Sequence, residues 1–168
     1  MPISPLTSVS APLEYAFPID AAIKAMKFNR RLFYAPAFGR LLAGCFEGLP
    51  DDVDALAPVP LHWRRHAMRG FNQAAEITRT IREVTGLPLV TNVTRHRHTP
   101  YQSGLTSAQR KRNLRSAFVV KGTIDYSHVL IIDDVITTGE TCCQLAGALL
   151  DAGAKKVSAL AIARATRD

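Results

Sequence analysis

The sequence predicts an α/β domain with a central, mostly parallel sheet flanked by helices, and three observations carry that prediction. Residues 129–132 (VLII) and 157–163 (VSALAIA) are continuous apolar runs, as strands covered on both faces must be. Between them Cys142, Leu145, Ala148, Leu149 and Ala152 recur at three- and four-residue steps, which is one stripe of a helix. Strand, helix and strand at this spacing form a βαβ unit, whose crossover is expected to be right-handed. An earlier stretch, residues 56–85, repeats the strand–loop–helix order.

Taken from the amino terminus, residues 1–11 are rich in Pro and Ser and are expected to be a loose tail, with one domain over 12–168. The start has no basic cluster and no apolar core, so it does not read as a secretory signal. Residues 22–43 read as two short helices split near Pro36. Residues 56–61 (LAPVPL) are extended, but Val59 lies between two prolines, so a short strand ending in a rigid turn is expected. The loop 62–70 (HWRRHAMRG) carries Arg64, Arg65 and Arg69. A helix over 71–85 follows, with Ala74, Ile77, Ile81 and Val84 as its apolar stripe and Gly86 closing it. Residues 95–118 begin as a basic loop, and Thr106 is placed to cap a short helix carrying Arg110, Lys111, Arg112, Asn113 and Arg115. The strand at 129–132 ends in Asp133 and Asp134. Gly153 follows the last helix as its expected C′ residue.

Composition narrows the function classes. With 168 residues and 47% hydrophobic content, the chain is long enough for one sizeable core. No apolar run reaches membrane-spanning length. Cys45, Cys142 and Cys143 are odd in number and two are adjacent, so no disulfide framework is expected. No C-x-x-C pair occurs, so structural zinc is not expected, and a reducing cytoplasm fits. The net charge of +7 favours polyanionic partners, and a sugar diphosphate or a nucleic acid would each suit it. His96 and His98 sit between Arg95 and Arg97, which would repel a cation, so they read as solvated.

Residues 129–141 (VLIIDDVITTGET) hold the most specific chemistry. Ligands of open α/β sheets bind beyond the carboxyl ends of the strands, which is where 133–141 falls. The first amides of the following helix lack intrahelical partners and carry the positive end of its dipole, so a phosphate fits there. The hydroxyls of Thr137, Thr138 and Thr141 add donors, and Gly139 allows close backbone approach. No GK[ST] step is present, which excludes a P-loop. Two carboxylates beside a phosphate would repel it, so Asp133 and Asp134 are expected to face sugar hydroxyls and Mg²⁺.

The string closely resembles the phosphoribosyl-pyrophosphate signature of type I phosphoribosyltransferases. The resemblance implies that Asp133 and Asp134 engage the ribose and hold Mg²⁺ through its hydroxyls or water. It implies that Val135, Thr137, Thr138, Gly139, Glu140 and Thr141 take the 5-phosphate side. PVPLHWRRHAMRGFNQA (58–74) and the piece IKAMKF (23–28) resemble the competence protein F branch of that superfamily. So do Arg97, Thr99, Gln102, Leu105, Arg110, Asn113, Ala117 and Phe118. By that resemblance Arg69 acts in catalysis with the two acids, and Arg64 and Arg65 help bind the pyrophosphate. Arg97, Gln102, Arg110 and Asn113 belong to a flexible hood over the site. Members of the branch commonly begin with a four-cysteine zinc module, whose cysteines this sequence lacks.

The expected function is therefore phosphoribosyl transfer from phosphoribosyl pyrophosphate, with Mg²⁺, to an acceptor the sequence does not name, in a protein linked to DNA uptake. The alternative is a non-enzymatic protein that binds single-stranded DNA or other competence proteins, with Trp63 or Tyr101 available for stacking. A response-regulator receiver also places two acids at a strand end, but no strand-end phosphoacceptor Asp or Lys follows here.

Overall fold

The computed structural model describes residues 5–28, 31–61, 70–95 and 117–165. In chain order the elements are β1 (Val9–Ser10), β2 (Leu13–Glu14), α1 (Ile19–Phe28), α2 (Tyr34–Gly44), β3 (Ala55–Pro58) and α3 (Gln73–Thr85). They continue with β4 (Val93–Arg95), β5 (Phe118–Val120), β6 (His128–Ile136), α4 (Glu140–Asp151) and β7 (Lys156–Arg164). A 3₁₀ turn, Cys45–Gly48, follows α2.

The main sheet runs β1–β7–β6–β3, with β2 also on β7, and every pairing in it is parallel. Beyond β3, Leu89 bridges Leu56 in parallel. Strands β4 and β5 form a separate antiparallel pair. The apolar runs lack polar interruptions because both faces of the sheet are covered. Val129, Ile131, Ala159 and Ala161 pack in one cluster with Leu145, Ala146 and Leu149 of α4. Leu130, Ile132, Leu160 and Ile162 pack in the other with Ile23 and Met26 of α1, Phe38 and Leu42 of α2, and Ile77 and Ile81 of α3. Successive residues of one strand thus serve opposite layers, as the pleat requires.

Several boundaries differ from the sequence reading. Residues 5–11 are not simply a loose tail. Thr7 N–H donates to Val157 O, Ala159 N–H donates to Ser8 O, and Val9–Ser10 is a strand. The physical reason is the open edge of β7, whose backbone groups need partners that this segment, and β2 after it, provide. The first helix ends at Phe28 and the second starts at Tyr34, so Pro36 lies within the second helix and does not separate the two. Pro36 lies in the first turn of α2, where a missing N–H costs no intrahelical bond. Val84, expected in the apolar stripe of α3, is 60% exposed. Asn72 caps α3, accepting from Ala74 N–H at 3.1 Å, and Gly86 ends it in the left-handed conformation.

A polar clasp ties the amino ends of the strands. His128, 1% exposed, has Nδ1 at 2.7 Å from Asp52 Oδ1 and Nε2 at 2.8 Å from Ser158 Oγ. Ser8 Oγ donates to Ser158 Oγ at 2.9 Å, and Lys156 Nζ donates to Asp52 Oδ2 at 2.6 Å. The Lys156 bond, then that of His128, holds the Asp52 carboxyl down to about 2. A Ser–His–Asp alignment invites a hydrolytic reading. Ser158 is 0% exposed, however, and no substrate carbonyl could reach it, so the cluster is a structural tie.

Helices α2 and α3 cross closely at Gly39, where an added Cβ would lie 2.5 Å from Thr80 Cβ and 2.9 Å from Ile77 O. Gly147 in α4 has nothing within 4 Å of the same position. Gly39→Ala is therefore expected to destabilise by roughly 1–3 kcal/mol through overpacking, despite alanine's better helix propensity. Gly147→Ala should stabilise by about 0.5–1 kcal/mol. Urea unfolding of the two variants would show opposite shifts in midpoint.

Candidate functional site

The site forms where β3 stops and β6 continues. The acid pair was expected to end its strand, but β6 runs on to Ile136 because the equally long β7 offers it partners, Asp133 opposite Ala161 and Val135 opposite Ala163. Strand β3 ends at Pro58, and Val59 N–H makes its last bond to Ile132 O. From Asp133 onward β6 therefore has no strand partner on the β3 side among the described residues, and a cavity opens there. The pleat sends Asp133 and Asp134 to opposite faces of the sheet.

Asp133, Val135 and residues 137–141 line a recess of about 30 Å³. Its rim is the turn from β6 into α4. Thr137 and Thr138 are exposed, and Gly139 is the N-cap of α4 with φ 77° and no side-chain cap. A Cβ on Gly139 would meet nothing within 4 Å, so glycine is needed for its left-handed backbone rather than for a close neighbour within the chain. Glu140 N–H donates to Thr138 Oγ1 at 3.4 Å, and the Glu140 carboxylate is engaged by Gln144 Nε2 at 2.8 Å. Asp133 faces this recess too. Only Asp134 is turned away from the threonine loop as the sequence suggested for both acids.

Both acids and Thr141 also line a larger cavity of about 160 Å³, together with Lys27, Asn72, Gln73 and Arg95. Lys27 Nζ lies 2.9 Å from Asp134 Oδ1, and the two side chains are only 21% and 14% exposed. Arg95 lies over the Phe118 ring, 5.4 Å from its centroid. Asn72 Nδ2 donates to Val59 O at 3.0 Å, which fixes the start of α3 to the end of β3. Gln73 is 1% exposed, and its Nε2 makes no hydrogen bond among the described residues. Leaving a buried amide donor unpaired costs about 1–3 kcal/mol, so a bound acceptor would relieve it.

Burial, then the charge of Asp134, pushes the Asp133 carboxyl up to about 7, against the hydrogen bond it accepts from Asp134 N–H at 2.8 Å and the nearby charges of Lys27 and Arg95. Burial, then the charge of Asp133, lifts the Cys142 thiol to about 12, which removes it as a nucleophile. Among the described residues no three His, Cys, Asp or Glu side chains converge on a point that could hold a metal. The acid pair alone suits Mg²⁺, which keeps several waters and takes substrate phosphate oxygens instead of filling an all-protein cage.

The sequence-predicted residues Asp133, Asp134, Val135, Thr137, Thr138, Gly139, Glu140 and Thr141 thus come together in two adjoining recesses. Arg64, Arg65, Arg69, Trp63, His96, Arg97, His98, Tyr101, Gln102, Arg110 and Asn113 lie outside the described residues, and with them the expected hood. Leu61, Asn72 and Arg95, which border those segments in the chain, all line the larger cavity. Sequence reasoning gave no site role to Lys27, Asn72, Gln73 or Arg95. Their signals were present in IKAMKF, in RGFNQA and at the head of the basic stretch, but no spacing rule brings α1 to the acid pair.

No family model matches the chain. Among curated proteins it is 37% identical over 166 residues to the DNA utilization protein YhgH of Salmonella typhi, covering 95% of this chain and 71% of that protein. It is 37% identical over 158 residues to YhgH of Escherichia coli strain K12, covering 90% and 69%. It is 31% identical over 163 residues to competence protein F of Haemophilus influenzae, covering 90% and 70%. Among solved structures, glutamine phosphoribosylpyrophosphate amidotransferase from B. subtilis, complexed with ADP and GMP, superposes with a TM-score of 0.53 at 19% identity. That match covers 75% of this chain and spans a quarter (25%) of the other, and it shows the phosphoribosyltransferase fold.

The raised Asp133 carboxyl has a stability consequence. The folded protein holds this proton more tightly than the unfolded chain, so the contribution favours folding at low pH and fades as pH rises from 3.8 towards about 7. Asp133→Asn removes the titration while keeping an oxygen for the Asp134 N–H. The variant is expected to match the parent below about pH 3.8 and to exceed it increasingly as pH rises to about 8, by at least roughly 1–3 kcal/mol there, in the absence of ligand. Thermal melts across that range would test the divergence, and parallel curves would contradict it.

Proposed function

The chain belongs to the competence protein F family, and from that premise we propose that it binds phosphoribosyl pyrophosphate with Mg²⁺ and transfers phosphoribose to an acceptor. The observation that carries the reading is the shared wall between the two recesses. Asp133 and Thr141 line both, so a ligand with a phosphate in the threonine loop can lay its sugar across the acid pair.

In this reading the loop amides and the hydroxyls of Thr137, Thr138 and Thr141 bind the 5-phosphate at the positive end of α4. Asp133 and Asp134 accept hydrogen bonds from the ribose hydroxyls and fix the ring. Lys27 and Arg95, with Arg64, Arg65 and Arg69, receive the pyrophosphate. Mg²⁺, when bound beside Asp133 and Asp134, would neutralise charge on the departing pyrophosphate. The bond from the anomeric carbon to the pyrophosphate oxygen breaks, the oxygen keeps the electron pair, and the oxocarbenium-like sugar is captured by the acceptor. Arg97, Gln102, Arg110 and Asn113 are assigned to a hood that would exclude water from that intermediate. The names of the relatives, DNA utilization protein and competence protein, support a role in DNA uptake or use.

Calorimetry with phosphoribosyl pyrophosphate tests the proposal. Wild-type protein should bind in the presence of Mg²⁺. The Asp133→Asn/Asp134→Asn double variant should lose at least tenfold in affinity, since each charge-assisted bond is worth roughly 1.5–3 kcal/mol. Absence of heat from the wild type, or equal heat from the variant, would remove the reading.

A further inference from the structure

The geometry points to Lys27 as a counter-ion that changes partner. It neutralises Asp134 in the free protein and passes to the pyrophosphate of the bound sugar as Mg²⁺ takes its place beside the acids. The inference rests on the phosphoribosyl pyrophosphate reading above and adds a residue and a coupling to it.

Lys27 comes from the last turn of α1, outside both strand–loop–helix units, and its ammonium is 2.9 Å from Asp134 Oδ1. With 21% and 14% of their side chains exposed, the two groups form a pair that solvent screens only in part. Arg95 and Asp133 line the cavity they share as well, so among the described residues two cations and two acids line one space. That balance suits the site without a ligand. A ligand that brings a divalent cation to the acids and several negative charges beside them inverts it.

An ammonium and a divalent cation beside one carboxylate repel each other, so Mg²⁺ arriving alone works against the Lys27–Asp134 pair and draws on the charge that holds Lys27. When Mg²⁺ arrives with pyrophosphate, the displaced ammonium finds new oxygens in the same cavity. Lysine suits this exchange, because its charge sits on a flexible four-carbon stem with three rotatable donors and no fixed fork to satisfy. By linkage, each ligand must then strengthen the other's binding by the same factor. Mg²⁺ binds weakly alone, and the sugar pyrophosphate opens the site to it.

Calorimetry on wild-type protein, Lys27→Met and Lys27→Arg, with Mg²⁺ alone and with phosphoribosyl pyrophosphate plus Mg²⁺, tests the exchange. Lys27→Met is expected to bind Mg²⁺ alone about tenfold more tightly and the sugar pyrophosphate with Mg²⁺ about tenfold more weakly. Lys27→Arg, which keeps the charge, should retain most of the wild-type affinity for the sugar. A damaged fold would weaken both ligands, so the opposite signs separate the exchange from misfolding, and thermal melts of each variant check the fold directly. The inference is overturned if Lys27→Met binds Mg²⁺ alone no more tightly than wild type, or binds the sugar pyrophosphate equally well. If wild-type protein fails to bind the sugar at all, the phosphoribosyl reading falls, while the Mg²⁺ titration still decides whether Lys27 guards the acids.

Discussion

The site exists because two neighbouring strands end at different heights. From Val129 to Ile132, β6 is hydrogen-bonded on both edges and packed on both faces. Four residues later it is still held by β7, but β3 has already stopped at Pro58. Proline cannot donate to a ladder, and the following chain must turn away. A strand anchored on one side and released on the other is a rigid support with an open flank. The acids stand on that support, and the pleat places one beside the threonine turn and the other beside α1. Both layers of helices therefore reach the same short stretch of backbone.

Electrostatics at that stretch is a compromise between burial and charge. Two carboxylates on consecutive residues repel, and burial of Asp133 makes its charged form costlier still. The free protein answers with Lys27 and Arg95 in the cavity, and with a backbone N–H on Asp133. Gln73 adds an unanswered donor on the same wall. Unspent hydrogen-bonding capacity and an acid pushed up to about 7 are what a ligand of the proposed kind would meet there. The threonine turn, with an uncapped helix start, is the complementary feature for an anion.

Much of this was legible in the sequence, for a physical reason. The βαβ unit from 128 to 164 is written in local patterns, where apolar continuity gives strands and a three-to-four period gives α4. The acid pair and threonine turn are consecutive residues, so no long-range information was needed to bring them together. What escaped was what only tertiary structure decides. Lys27 reaches Asp134 across more than a hundred residues, and although it is the lysine before Phe28 in IKAMKF, no local pattern says that it meets the acid pair while Lys24 pairs with Asp20 within α1. The strand at Val9–Ser10 was invisible because two residues carry no periodicity, and only the open edge of β7 makes them a strand. The position of Pro36 misled because proline marks a helix start as readily as a helix break.

The clasp of Ser8 on Ser158 spans 150 positions of the chain, and β1 and β2 both lie against β7. Strands β1 and β2 thus have their partner about 150 residues further along the chain. During translation they leave the ribosome before the strand they belong to, and that pairing waits until β7 follows. Closure of the sheet therefore waits for β7 and carries a large loop-closure entropy, as non-local parallel pairings do, and it leaves the earlier strands exposed to chaperones meanwhile.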